Sequence, residues 1–156
     1  MKIVHVTTTD FGGAFKAVER IQASLRYFHE ESDILVRSRF FETETIEVIN
    51  TPLKKLLSKT KNFLNLLFSH GEVITDLLGT DITRHSKVKE ADIVVLHWVN
   101  SFISYKSVKL LVRLHKPIIW VMHDMWVFTG GCHYDAYCNN FKKQCGYCPY
   151  LGKKKK

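Results

Sequence analysis

No apolar run in this 156-residue chain approaches the roughly 18 to 20 residues needed to cross a bilayer. The opening MKIVHVTTTDF has one Lys and a short alternating run, not the basic and then apolar layout of a secretory signal. Together these absences lead us to expect a cytoplasmic protein. The dinucleotide fingerprint G-x-G-x-x-G is missing, and so is the phosphate-binding P-loop pattern. No Ser sits in a nucleophile elbow, which removes the motif-level case for a hydrolase triad. No internal repeat or low-complexity segment occurs apart from the terminal lysines. Basic residues do not form a stripe interleaved with aromatics, so nucleic acid is not an expected partner.

The composition supplies ample core. Hydrophobic residues make up 46% and charged residues 24%, as in an ordinary globular domain. The net charge of +8 is unevenly spread: Lys153–Lys156 supply four charges, leaving +4 on residues 1–152. A second basic stretch, Lys54, Lys55, Lys59 and Lys61, lies where no acid occurs between Glu47 and Glu72. We expect one domain over residues 1–152 followed by a basic tail, 153–156.

Periodicity predicts alternating strands and helices. KIVHVTT alternates apolar and polar, as a first strand does. TDFGG follows as a turn, and Ala14, Ala17, Val18, Ile21, Leu25 and Phe28 mark one face of a helix. Asp33–Val36 reads as a second strand, completing a βαβ unit with parallel pairing. IEVIN (46–50) suits a short strand. LKKLLSKTKNFLNLLF (53–68) suits an amphipathic helix whose apolar face either packs on the sheet or dips into an anionic membrane surface. A short helix is expected within 69–90. ADIVVLHWV reads as a strand buried on both faces, Ser104–Leu114 as a helix, and PIIWVMHD as another buried strand. The expected fold is α/β, a Rossmann-like doubly wound parallel sheet carrying a Cys-rich loop.

In such sheets ligands bind beyond the carboxyl ends of the strands. Three sequence features fall there: the Gly12-Gly13 turn, His97-Trp98, and His123-Asp124. The glycines open a helix where backbone amides can meet an anion, although a Gly-Gly turn also has a purely geometric reading. Two His and an Asp on one rim suit binding better than any one alone, although a strand-end His is also a common structural hydrogen-bonding residue. All four cysteines, Cys132, Cys138, Cys145 and Cys148, lie within one short window spaced C-x5-C-x6-C-x2-C. Four thiolates can complete a tetrahedral zinc shell; reduced packing thiols, or a redox pair at Cys145 and Cys148, are the alternatives.

MKIVHVTTTDFGGA, ADIVVLHWVN and KPIIWVMHDMWVFTGGCHYDAYCNNFKKQCGYCPYLG together resemble the amino-terminal half of family 4 glycosyltransferases. The resemblance is to the polysaccharide-building bacterial branch with an HDMW-x-x-TGGCHY…C…CGxCPxL signature, and it covers residues 1–38 and 91–152. It implies a GT-B enzyme with two Rossmann-like domains facing a cleft. Such an enzyme transfers sugar from a nucleotide sugar to a polysaccharide or lipid-linked glycan, with retention and without a catalytic metal. By that resemblance His123 reaches the donor sugar and Gly12 and Gly13 lie near its diphosphate, while Trp126 joins Asp124, His97 and Trp98 as substrate-facing candidates. The basic pair and Glu-x7-Glu motif of the family's nucleotide-sugar domain do not occur. The expectation is therefore an acceptor-side half that needs a carboxy-terminal partner domain, located in the cytoplasm or peripherally at the inner membrane. The competing expectation is a non-catalytic, metal-clipped glycan- or protein-binding module.

Overall fold

Parallel pairing puts a strand's residues under cover on both faces, and the β-branched segments here do pair that way. The computed structural model describes residues 1–41, 43, 45–49, 79–129, 131–135, 137–145 and 148. Its strands are β1 (Lys2–Thr9), β2 (Glu31–Ser38), β3 (Ile46–Val48), β4 (Ile93–Leu96) and β5 (Ile118–Trp120). They form one sheet in the order β3-β2-β1-β4-β5, every neighbouring pair parallel. Helices α1 (Gly13–Tyr27), α2 (Ser86–Glu90) and α3 (Tyr105–Val112) provide the crossovers among the described residues. This is a Rossmann-like α/β fold, and the strand order reverses between β1 and β4. The sheet and these helices belong to one unit, residues 1–51 and 77–123; residues 52–76 and 124–156 form another.

The sheet has a core on each face. On one side Val4, Val6, Val94 and Leu96 pack with Val88, Phe102, Ile103 and Leu111. On the other, Phe15 and Val18 of α1 cover Ile34, Val36 and Ile46. Ser104 caps α3, its hydroxyl accepting from the Ser107 amide at 3.3 Å. Lys116, just before β5, turns its ammonium onto the carbonyls of Val88, Lys89 and Ala91 at the end of α2, where the helix dipole favours a cation.

Several expectations need correction. The buried positions of α1 are Phe15, Val18 and Gln22, whereas Phe28 stands at the helix C-cap and is exposed. Gln22 is buried because its amide donates to the Ser32 carbonyl at 2.9 Å, which holds α1 to the start of β2. KIVHVTT does form a strand, β1, in which Ile3 through Thr8 are all buried, because β1 has neighbours on both edges and packing on both faces. PIIWVMHD is not a fully buried strand. Its ladder spans only Ile118–Trp120, with Ile119 half exposed, because β5 is the edge of the described sheet. In the 69–90 region the described helix is the short α2. The expected helix 53–68 and the basic tail lie outside the described residues. No described helix is long and apolar enough to cross a membrane.

Gly79 shows a close approach that requires glycine. A Cβ there would overlap the backbone nitrogen and hydroxyl of Ser104 at the start of α3. Gly79→Ala is expected to lower stability by about 1–3 kcal/mol through overpacking. Urea unfolding checks this, and an unchanged midpoint would contradict the contact.

Candidate functional site

The threonines and Asp that end β1 tie together the loops beyond the carboxyl ends of the strands. The Thr8 amide donates to the Trp98 carbonyl at 2.8 Å, and the Thr7 hydroxyl reaches the same oxygen at 3.3 Å. The Thr8 hydroxyl donates to the Asn100 carbonyl at 2.8 Å, so β1 holds the loop after β4. Asp10 is buried, and its carboxylate accepts from the Phe40 and Phe41 amides at 2.7 and 2.8 Å. That pair fixes the loop after β2. Gly12 sits at φ 91°, ψ −179°, a conformation open to glycine and strained for other residues. As the N-cap of α1 it brings no side chain to the first-turn amides.

Three histidines form a row across the sheet. The His5 Nδ1 and His97 Nε2 atoms are 3.0 Å apart, and His97 Nδ1 and His123 Nε2 are 3.1 Å apart. Register explains the row. His5 lies opposite Val95, two residues before His97, and Leu96 lies opposite Trp120, three residues before His123. Each histidine therefore stands one strand over and two levels higher on the same face, a diagonal within reach of an imidazole. The His97 amide still bonds the Val6 carbonyl at 2.9 Å, and the Trp120 indole donates to the His97 carbonyl at 3.2 Å. The first link spans β1 and β4, where the strand order reverses.

His5 and His97 are buried and His123 is half-buried, so the row leads from the sheet interior toward its rim. Burial lowers the His5 pKa to about 4. Burial, reinforced by repulsion from His5 and His123, lowers that of His97 to about 3. At pH 7 a group with that pKa is protonated about once in 10⁴ molecules. The buried part of the row is therefore neutral.

Beside Gly12 a cleft of ≈ 470 Å³ opens between the start of α1 and the loop after β2. Phe11, Phe15, Phe41 and Ile46 line it, with Lys16 and Glu19 at its border. The volume suits a small organic ligand.

Of the residues expected at the site, Gly12, Gly13, His97, Trp98 and His123 share the sheet-bearing unit, and His97 and His123 are in direct contact. Asp124 and Trp126 belong to the other unit. There Asp124 accepts from the Trp126 amide at 3.0 Å and meets His133 Nδ1 at 2.5 Å. The cysteines are in that unit too. All four are free thiols, and Thr129 holds Cys132 by bonds to its amide and carbonyl at 2.9 and 2.8 Å. Burial pushes the Cys132 thiol up, as do the nearby Cys148, Cys145 and Cys138. Among the described residues no group of three or more His, Cys, Asp or Glu is arranged to hold a metal ion. Sequence reasoning missed His5, Asp10 and the Phe-lined cleft.

Comparison with known proteins gives a partial similarity. Over 67 residues, 37% of this chain, the sequence is 34% identical to an Escherichia coli K12 protein described as "Putative colanic acid biosynthesis glycosyl transferase WcaC". The match spans only 16% of that protein's length. No family model matches the chain, and no solved structure matches it.

The neutral row has a consequence for stability. The folded pKa values of His5 and His97 lie below the unfolded value near 6.5, so the unfolded chain binds more protons as pH falls. The stability is thus complete above about pH 6.5 and is lost as pH drops toward 4 and 3. Two protons give a slope of up to about 2.7 kcal/mol per pH unit. Urea unfolding between pH 7.5 and 5 is expected to show this loss, with a shallower slope in His5→Asn. Equal slopes in the two proteins would contradict a neutral His5.

Proposed function

We propose that the chain is the acceptor-side, Rossmann-like half of a retaining glycosyltransferase of GT-B type. In this reading it transfers sugar from a nucleotide sugar to a polysaccharide or lipid-linked glycan. The observation that carries the reading is the stretch of similarity to a glycosyl transferase. The geometry agrees with it. An uncapped helix start at Gly12 and a histidine row ending at His123 both stand at the carboxyl-end rim, where sheets of this kind take ligands.

In the proposed reaction the bond from the sugar anomeric carbon to the diphosphate breaks on the face where the acceptor oxygen bonds. The acceptor proton passes to the departing diphosphate. First-turn amides of α1 stabilise the charge developing there, as preorganised backbone donors do. His123 hydrogen-bonds the donor sugar, and the cleft beside Phe11 and Phe41 receives the acceptor. A second, nucleotide-sugar-binding domain completes the cleft, supplied by further chain or by a separate protein. The protein works in the cytoplasm, where nucleotide sugars are made, with contact at the inner membrane surface when the acceptor is lipid-linked.

The test is reconstitution. The 156-residue chain alone is expected to transfer no sugar, and adding a nucleotide-sugar-binding half is expected to restore transfer. In the restored system His123→Ala should lower the rate by about 10²-fold, the loss expected for one preorganised donor. Transfer by the isolated chain, or an unaffected His123→Ala, would sink the reading. Glycan binding without any restored transfer would support a non-catalytic binding module instead.

A structural zinc at Cys132, Cys138, Cys145 and Cys148 belongs to the same reading. The donor set suits zinc, and a cation would relieve the mutual repulsion of four thiolates. The ion would order the loop and enters no chemical step. Elemental analysis should find close to one zinc per chain, lost on Cys145→Ser with Cys148→Ser while the sheet's unfolding midpoint is kept. A folded, metal-free wild-type chain would exclude an obligatory site.

A further inference from the structure

The three imidazoles constrain one another's protons. Each nitrogen–nitrogen contact needs one N–H and one lone pair. His97 enters both contacts through opposite ring nitrogens. A neutral row therefore has only two arrangements: every ring protonated on Nδ1, or every ring protonated on Nε2. No mixture satisfies both contacts.

The buried end of the row decides between them. His5 Nε2 is enclosed and meets no hydrogen-bond partner among the described residues. In the Nε2–H arrangement it would be an orphaned donor, whereas in the Nδ1–H arrangement it holds only an unused lone pair. Orphaned buried N–H groups are the rarer of the two. A charged row, which would escape this choice, is disfavoured by the burial of His5 and His97.

We propose that the row stands in the Nδ1–H arrangement, so that His5 and His97 are positioning residues that fix the tautomer of His123. His97 donates from Nδ1 to His123 Nε2, and His123 carries its own proton on Nδ1. The chemical consequence rests on the sugar-transfer reading above. His123 approaches a substrate as an N–H donor, suited to a phosphate or sugar-hydroxyl oxygen, and does not serve as a general base. To act as a base it would have to place a proton on a buried ring or flip the whole row, ending with an N–H on the enclosed His5 Nε2.

Long-range ¹H–¹⁵N correlation spectra of the ¹⁵N-labelled chain at pH 7.5 test this directly. The expected result is protonated Nδ1 and bare Nε2 in His5, His97 and His123. An Nε2–H at any of the three overturns the proposal. In His97→Phe the donor to His123 is gone, and His123 should shift toward Nε2–H, the form that a solvated neutral imidazole prefers. In His5→Asn the side-chain amide can still donate to His97, and the Nδ1–H pattern of His97 and His123 should persist. Retention of Nδ1–H on His123 in a folded His97→Phe would show that the row does not set the tautomer. The wild-type spectrum decides the arrangement even if that variant does not fold. None of these spectra requires sugar transfer. A wild-type chain with the expected tautomers and no reconstituted transfer would sink the functional reading and leave the tautomer assignment standing.

Discussion

β1 runs through the middle of the sheet, paired on both edges and packed on both faces, so its buried polar side chains turn to partners inside the protein. That constraint organises the rim. Thr7 and Thr8 have no water to turn to and take the carbonyls of Trp98 and Asn100, which sets the path of the loop after β4. Asp10 takes two amides of the loop after β2. Among the described residues His5 turns to His97. Four polar residues on or just beyond one strand thus position two loops and a neighbouring histidine.

Burial also sets the electrostatic character of the site. A histidine near the surface titrates around neutrality and can switch. His5 and His97 cannot, because the sheet interior disfavours the charged imidazole, and at His97 repulsion from His5 and His123 adds to that. A neutral row is still directional, since each hydrogen bond has a donor and an acceptor end. Its effect at the rim is therefore one of orientation. The sheet offers a fixed imidazole at its carboxyl edge, while Lys16 and Glu19 pair with each other at 2.8 Å beside the cleft.

The architecture was legible in the sequence because β-branched runs and helical spacing report directly on parallel strands and their crossovers. β1, α1, β2 and β4 all lie where the pattern puts them. His97 and His123 were legible as strand ends for the same reason. His5 was not, because it lies inside a strand, and the pattern of KIVHVTT does not say what covers each face. The missing information was the packing: β1 is covered on both faces, so its polar residues become buried chemistry. Asp10 was hidden differently. Its partners, the amides of Phe40 and Phe41, are backbone groups thirty residues away in a stretch without periodicity. The grouping of Asp124 with His123 followed from adjacency in the chain, whereas the two residues fall in different units and Asp124 engages His133.

The histidine row could be read from sequence with one further rule. In a parallel sheet, residues on neighbouring strands share a face when their register offset is even, and His5, His97 and His123 meet that condition on three adjacent strands. Three histidines alone would say little, since the chain has eight. Their placement one strand over and two levels up at each step is what brings ring to ring, with centroids 5.2 and 5.4 Å apart. Such a diagonal depends on strand order as much as on residue identity. The same residues on strands in any other order would be isolated polar groups, each with a desolvation cost and no partner. The order β1-β4-β5 is therefore what brings the two buried histidines into contact with each other and His97 into contact with His123.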